Sequence, residues 1–224
     1  MTTQEKNVQP NEFRRPEDIE KESFRIIRQG LTARKLKLPE EELPVTMRVI
    51  HTTADFEYAK TLYYSDGAVK KLRELLEKGT RVVTDTNMAK AGINAKKIEE
   101  LGGEMLCFMS DPDVEQEAKE RDITRAMVSV EKAATLQGDT IFVVGNAPTA
   151  LLRLRDLILE GYKPAFIVGV PVGFVNVVYA KEEILQEAEE RKIPYIINIG
   201  RKGGSNVAAA IINAAMYSSS EQKE

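Results

Sequence analysis

From residue 81 onward the chain alternates short apolar runs with helical stretches, and this alternation restricts its fold more than any other feature. The runs cover 81–85, 104–109, 140–145, 165–171 and 194–200. Between and after them, residues 95–101, 114–136, 148–160, 175–190 and 205–217 carry helical patterning. Four of the five runs are nearly continuous in Val, Ile, Phe and other apolar residues, as expected of strands covered on both faces. Repeated strand–helix units predict a parallel sheet with helices on either side, because each crossover must return over one face.

The N-terminal third reads differently. Pro16, Glu17 and Asp18 suit the first turn of a helix over 16–29, which Gly30 is expected to stop. After a short linker at 38–42, Leu43, Met47, Ile50 and Ala54 recur at helical spacing. Ser65 or Asp66 can cap a further helix through Lys78, ended by Gly79. The expected architecture is α/β and three-layered. It has a five-stranded parallel sheet of flavodoxin-like order 2-1-3-4-5, helices on both faces and an N-terminal helical extension. One domain is expected over 12–217, with 1–11 and 218–224 disordered.

Composition narrows the function classes. The chain is 42% apolar and 30% charged, typical of folded globular proteins, and long enough for a proper core. Its net charge of −3 gives no reason to expect nucleic acid or an anionic membrane as partner. Residues 1–11 lack the apolar core of a signal peptide, and no apolar run approaches membrane-spanning length, so a cytoplasmic location is expected. The lone cysteine, Cys107, lies in an apolar run and reads as a core thiol. No Cys/His cluster suggests a metal site, and no glycine pattern suggests a dinucleotide, so neither metal nor cofactor is expected.

Chemistry is expected beyond the carboxyl ends of the strands, where open parallel sheets bind ligands. The polar and flexible residues gather there. They include V-T-D-T-N-M after the first run, with Thr84 and Thr86, and G-N-A-P-T-A after the third, with Asn146 at the tip. G-V-P-V-G-F-V follows the fourth run and G-R-K-G-G-S the fifth. In the last, Gly203 and Gly204 would let the backbone approach an anion, Ser205 would cap the next helix, and Arg201 and Lys202 add charge. The alternative is an ordinary glycine turn with two solvated cations. It is not a phosphate-binding Walker loop, because the lysine precedes the glycines.

His51 is the only histidine, hence the only side chain whose ordinary pKa lies near neutrality. On a continuous helix Arg48 would lie one turn before it and Asp55 one turn after, where a carboxylate could orient the imidazole and favour its charged form. The plainer alternative is a histidine that ends an apolar face. Spacing alone places Arg125 inside a long helix as a solvated cation.

Together the motifs resemble the precorrin-8X methylmutase family. S-F-R-I-I (Ser23 to Ile27), R-V-I-H-T-T-A-D-F, T-D-T-N-M-A-K-A-G-I, Thr124-Arg125, G-N-A-P-T-A-L, G-V-P-V-G-F-V and G-R-K-G-G-S occur in family order and span nearly the whole chain. The resemblance implies an isomerase of cobalamin biosynthesis with no redox cofactor, homodimeric, on a flavodoxin-like core. A methyl group would migrate from C-11 to C-12 of a corrin macrocycle, precorrin-8X or its cobalt form, giving hydrogenobyrinic or cobyrinic acid. The resemblance implies that His51 protonates or hydrogen-bonds a ring nitrogen. It raises Arg125 to a catalytic or carboxylate-binding residue and brings Ser23 into the site beside Arg48.

Where the family commonly has Glu-Ser-Lys after P-V-G-F-V, this chain has Tyr179, Ala180 and Lys181. That change leaves a competing reading, a corrinoid-binding or carrier protein that performs no chemistry. A third reading, an unrelated enzyme holding a phosphorylated small molecule at G-R-K-G-G-S, leaves the ordered motifs unexplained.

Overall fold

The computed structural model describes residues 15–217, so the expectations for 1–11 and 218–224 lie outside the described residues. Six strands form one mixed sheet: β1 (Leu62–Tyr64), β2 (Arg81–Thr84), β3 (Met105–Leu106), β4 (Thr140–Val144), β5 (Phe166–Gly169) and β6 (Tyr195–Asn198). Their order is β1-β6-β5-β4-β2-β3. The pairs from β3 through β6 are parallel, and β1 runs antiparallel to β6, with Leu62 opposite Asn198 and Tyr64 opposite Ile196. The expected five-stranded, all-parallel sheet is therefore corrected to six mixed strands. The β1 segment is only Leu-Tyr-Tyr, too short to show a pattern, and it forms because β6 would otherwise end the sheet unpaired.

Eleven helices are described: α1 (Pro16–Ala33), α2 (Leu43–Thr53), α3 (Tyr58–Thr61), α4 (Ala68–Glu77), α5 (Asn87–Gly92), α6 (Ala95–Glu100), α7 (Pro112–Glu120), α8 (Arg125–Ala134), α9 (Pro148–Leu159), α10 (Val177–Glu190) and α11 (Ser205–Tyr217). Two boundaries correct the sequence reading. Gly30 does not stop α1, which runs on to Ala33. A side chain there would meet the Phe56 ring at 2.4 Å, so the glycine serves packing. The helix expected over 114–136 is two helices. Asp122 turns the chain with φ 50°, and Thr124 caps α8 by accepting the Met127 N–H. The second strand is also shorter than expected, two residues at the far edge, which leaves Cys107 half-buried beyond it.

Successive strand residues feed opposite cores, as the pleat requires. Val82, Ile141, Val143, Phe166, Val168 and Ile196 pack with α1, α2, α4 and α11. Val83, Phe142, Val144, Ile167, Tyr195 and Ile197 pack with α8, α9 and α10. Each fully buried Leu, Ile or Phe contributes about 1.5–3 kcal/mol by leaving water. α11 is buried on most sides, from Val207 to Ala215. Its alanines permit close approach: a side chain at Gly92 would sit 2.9 Å from the Ala209 methyl. The helix so fixed begins at the carboxyl edge of the sheet, where the candidate site lies.

Candidate active site

The edge is cross-braced from the end of β2. The Asp85 side chain is almost wholly buried. Its Oδ1 accepts the Gly145 N–H at 2.8 Å, and its Oδ2 accepts those of Asn146 at 2.8 Å and Ala147 at 2.7 Å. Burial pushes the carboxyl above its ordinary pKa, and the three donors oppose that. Both oxygens face N–H groups, so the arrangement suits the ionised form. Asp85 thus anchors the turn that presents the exposed Asn146. Thr84 is buried, and its hydroxyl donates to the Thr86 carbonyl at 3.0 Å. Its hydroxyl is thus engaged with the main chain behind the rim. Thr86 caps α5 through the Ala89 N–H, and its hydroxyl meets that of Ser205, the first residue of α11, at 2.8 Å. Gly145 is required here, since a side chain would meet the Ser205 Cα at 2.8 Å.

The G-R-K-G-G-S loop is tied down on three sides. The Gly204 N–H donates to the Val170 carbonyl at 2.9 Å, and the Gly173 N–H to the Arg201 carbonyl at 3.2 Å. Gly203, with φ 156°, leaves no room for a side chain, which would lie 2.2 Å from the Val170 oxygen. Beneath the loop, the ammonium of the fully buried Lys181 donates to the carbonyls of Gly200 at 2.8 Å and Lys202 at 2.7 Å. Desolvation lowers its pKa to about 8. The Asn198 amide also donates to the Lys202 carbonyl, at 2.7 Å. Lys202 itself is not a free cation. Its Nζ binds the Asp55 carboxylate and that of Glu57, the latter at 2.6 Å. Arg201 is exposed and makes no ion pair among the described residues.

That clamp brings the α2 arm to the rim. α2 ends at Thr53, and Ala54 adopts a left-handed conformation with φ 55°. Asp55 is therefore outside the helix, and the expected one-turn relation to His51 is corrected. Its Oδ1 accepts the Glu57 N–H at 2.9 Å, its Oδ2 receives Lys202, and the ammonium holds its carboxyl below the ordinary value. His51 is exposed in the last turn of α2 and stacks on Phe24 of α1, with ring centroids 5.4 Å apart and planes 19° apart. The Arg48 guanidinium lies 4.7 Å from the centre of the same Phe24 ring and pairs with Glu20 at 2.6 Å. The Ser23 hydroxyl donates to the Ile19 carbonyl of its own helix at 2.8 Å. His51, Arg48 and Ser23 thus share the α1–α2 face, while Thr86, Asn146 and residues 201–205 form the strand-end rim.

Arg125 is the first residue of α8 rather than mid-helix, and donates to the Met109 carbonyl at 3.3 Å, beyond the β3 edge. Thr124, immediately before it, also bonds Thr149 of α9 at 2.9 Å. In the altered triplet, Tyr179 is exposed, whereas Ala180 is buried in the core and carries no polar group toward the rim. A groove of about 690 Å³ runs beside α2, lined by Glu20, Arg48, Thr52, Asn94, Asn206 and Tyr217 among others. The rim itself is open and carries exposed apolar side chains: Met88 after β2, and Val172, Phe174 and Val175 after β5. Phe174 is 84% exposed, an unusual state for a phenylalanine and one that suits contact with a large apolar ligand.

The family description precorrin-8X methylmutase matches residues 18–218. This chain belongs to that family. A cobalt-precorrin-8 methylmutase of Priestia megaterium is 42% identical over 200 residues, covering 89% of this chain and 86% of that one. Another, from Leptospira interrogans, is 42% identical over 212 residues, covering 92% and 96%. The solved precorrin-8X methylmutase of Thermus thermophilus superposes with a TM-score of 0.77 at 37% identity, covering 88% of this chain and 95% of that one. Among the described residues no helix is long and apolar enough to cross a membrane. As a methylmutase, the chain is an isomerase. Sequence reasoning missed Asp85, whose position at a strand tip between two threonines was the available signal. It noted Lys181 only as a retained family residue.

Proposed function

We propose that this methylmutase moves a methyl group from C-11 to C-12 of precorrin-8X or its cobalt form, with His51 acting on a ring nitrogen. The observation that carries this is the position of His51. The sole histidine is exposed, braced flat against Phe24, and joined to the anion-binding loop through the Asp55–Lys202 clamp four residues on. A macrocycle lying on the apolar rim would place its carboxylate fringe near Arg201, Asn146 and the N–H groups of the loop. Proton donation, or a hydrogen bond, from the imidazole draws electron density from the π system and eases the sigmatropic shift. The proton returns afterwards, so the step is an isomerisation. Arg125, at the opposite side of the rim, is a second carboxylate partner, with catalytic influence through orientation. The relatives at 42% identity are named for the cobalt substrate, which favours cobalt-precorrin-8, the metal arriving inside the macrocycle. A homodimer and a cytoplasmic location complete this reading, on a core of flavodoxin-like order.

The test is absorption spectroscopy of cobalt-precorrin-8 with the parent protein and His51→Ala. The parent converts it to cobyrinic acid. The variant binds it but turns over about 10²–10⁴-fold more slowly, the usual contribution of general acid catalysis. Near-parental turnover by the variant refutes the role of His51. Binding without turnover by the parent supports the carrier reading.

A further inference from the structure

We infer that Lys181 is a positioning residue for substrate binding, turning two peptide units of the G-R-K-G-G-S loop so that their N–H groups receive a substrate carboxylate. The inference rests on the proposed reading and adds the group that shapes its anion contact. The C=O and N–H of a trans peptide unit point in opposite directions. Lys181 draws in the carbonyls of Gly200 and Lys202, and Asn198 reinforces the second. The N–H groups of Arg201 and Gly203, which belong to those same units, are therefore turned to the side away from the ammonium. Neither finds an acceptor among the described residues. The ammonium is fully buried while Arg201 and Lys202 above it are exposed, so the side away from it is the open rim.

A buried amine is costly where an apolar side chain would fill the space, and among the described residues no carboxylate pairs with this one: both its acceptors are main-chain oxygens of one loop. Holding both carbonyls inward fixes the loop and keeps two N–H donors turned toward the rim before a carboxylate arrives, so little is lost to reorganisation on binding. Gly203 supports the same end, since no other residue fits against the Val170 carbonyl in that conformation.

The test uses Lys181→Met, which keeps the length and removes the donors. Cobyrinic acid and its fully esterified methyl ester are titrated against parent and variant, and kcat and KM are measured with cobalt-precorrin-8. The expected result is about tenfold weaker binding of cobyrinic acid and a matching rise in KM. Ester affinity should not change, and kcat should stay within about threefold. Asn198→Ala removes the other donor to the Lys202 carbonyl, should weaken the acid by a smaller factor, and serves alone if Lys181→Met does not fold. Unchanged acid affinity in either folded variant overturns the inference, as does an equal loss for acid and ester. If the parent neither binds cobyrinic acid nor turns over substrate, the functional reading fails with it. A parent that does both isolates the failure to Lys181.

Discussion

Replacing Asp85 by asparagine tests how the rim is built, because the shape is kept while one oxygen becomes an amide group. The remaining oxygen can hold two of the three N–H donors, those of Asn146 and Ala147, which already share Oδ2 in the parent. The new amide then faces the Gly145 N–H, donor against donor, at the buried end of β4. Water can reach the exposed Asn146 but not Gly145. The loss is one hydrogen bond to a charged acceptor, about 1.5–3 kcal/mol, plus an unsatisfied buried donor at about 1–3 kcal/mol. Relief from burying a charge offsets part of this, leaving about 2–4 kcal/mol. For a chain of this size each kcal/mol lowers Tm by about 2–4 °C, so Asp85→Asn should melt about 5–15 °C below the parent. Urea titration followed by far-ultraviolet circular dichroism gives the free energy, and scanning calorimetry gives Tm. A loss under about 1 kcal/mol with unchanged m-value would refute the claim that this carboxylate holds the turn.

Other consequences concern the charged groups. Arg201→Ala should weaken cobyrinic acid binding more than Lys202→Ala does, most clearly at low salt, because Lys202 is already neutralised by Asp55 and Glu57; equal losses in a salt series of titrations count against this. Asp55 has a depressed folded pKa, so its contact with Lys202 adds stability above the ordinary value of 3.8 and loses it as pH falls through the depressed one. Melting curves of parent and Asp55→Asn should accordingly differ at pH 7 and converge at acid pH. Lys181 has the opposite sign. Its folded pKa of about 8 lies below the ordinary 10.5, so the folded state carries a penalty for the charge that is relieved as pH rises between the two. The full relief is about 3 kcal/mol. Denaturant titrations between pH 7 and 10.5 should show the parent gaining stability against Lys181→Met, and parallel curves would contradict it.

Much of the fold was legible because burial on both faces leaves a simple trace. The runs that became β4, β5 and β6 are almost wholly apolar, and glycine or short polar residues end each of them. Elements whose stability comes from a distant partner left no such trace. β1 depends on β6, and α5 on its Thr86 cap and on packing against α11. In the site, glycine-rich loops and the lone histidine stood out by residue type. Asp55 was misplaced because helical spacing was carried past Ala54, whose left-handed turn ends α2. Arg125 was set mid-helix because nothing but Thr124 marks the break, and a threonine inside an amphipathic stretch is easily read through. Asp85 and Lys181 act on main-chain atoms far away in sequence, so the strand-tip position of Asp85 between two threonines does not reveal its partners and nothing local marks Lys181.

The pairing of β1 with β6 sets the order in which the enzyme can be assembled during synthesis. Residues 62–64 wait for residues 196–198, and the Thr61 hydroxyl waits for Asn198, 137 positions later. The arm that bears His51 is made early, while α11, on which α2 packs, and Lys202, which clamps Asp55, arrive near the end. A ribosome has to release almost the entire polypeptide before the histidine faces the loop, and the closing of so distant a contact is intrinsically slow. Nascent chains therefore carry His51 before the loop that it faces in the folded protein has been made.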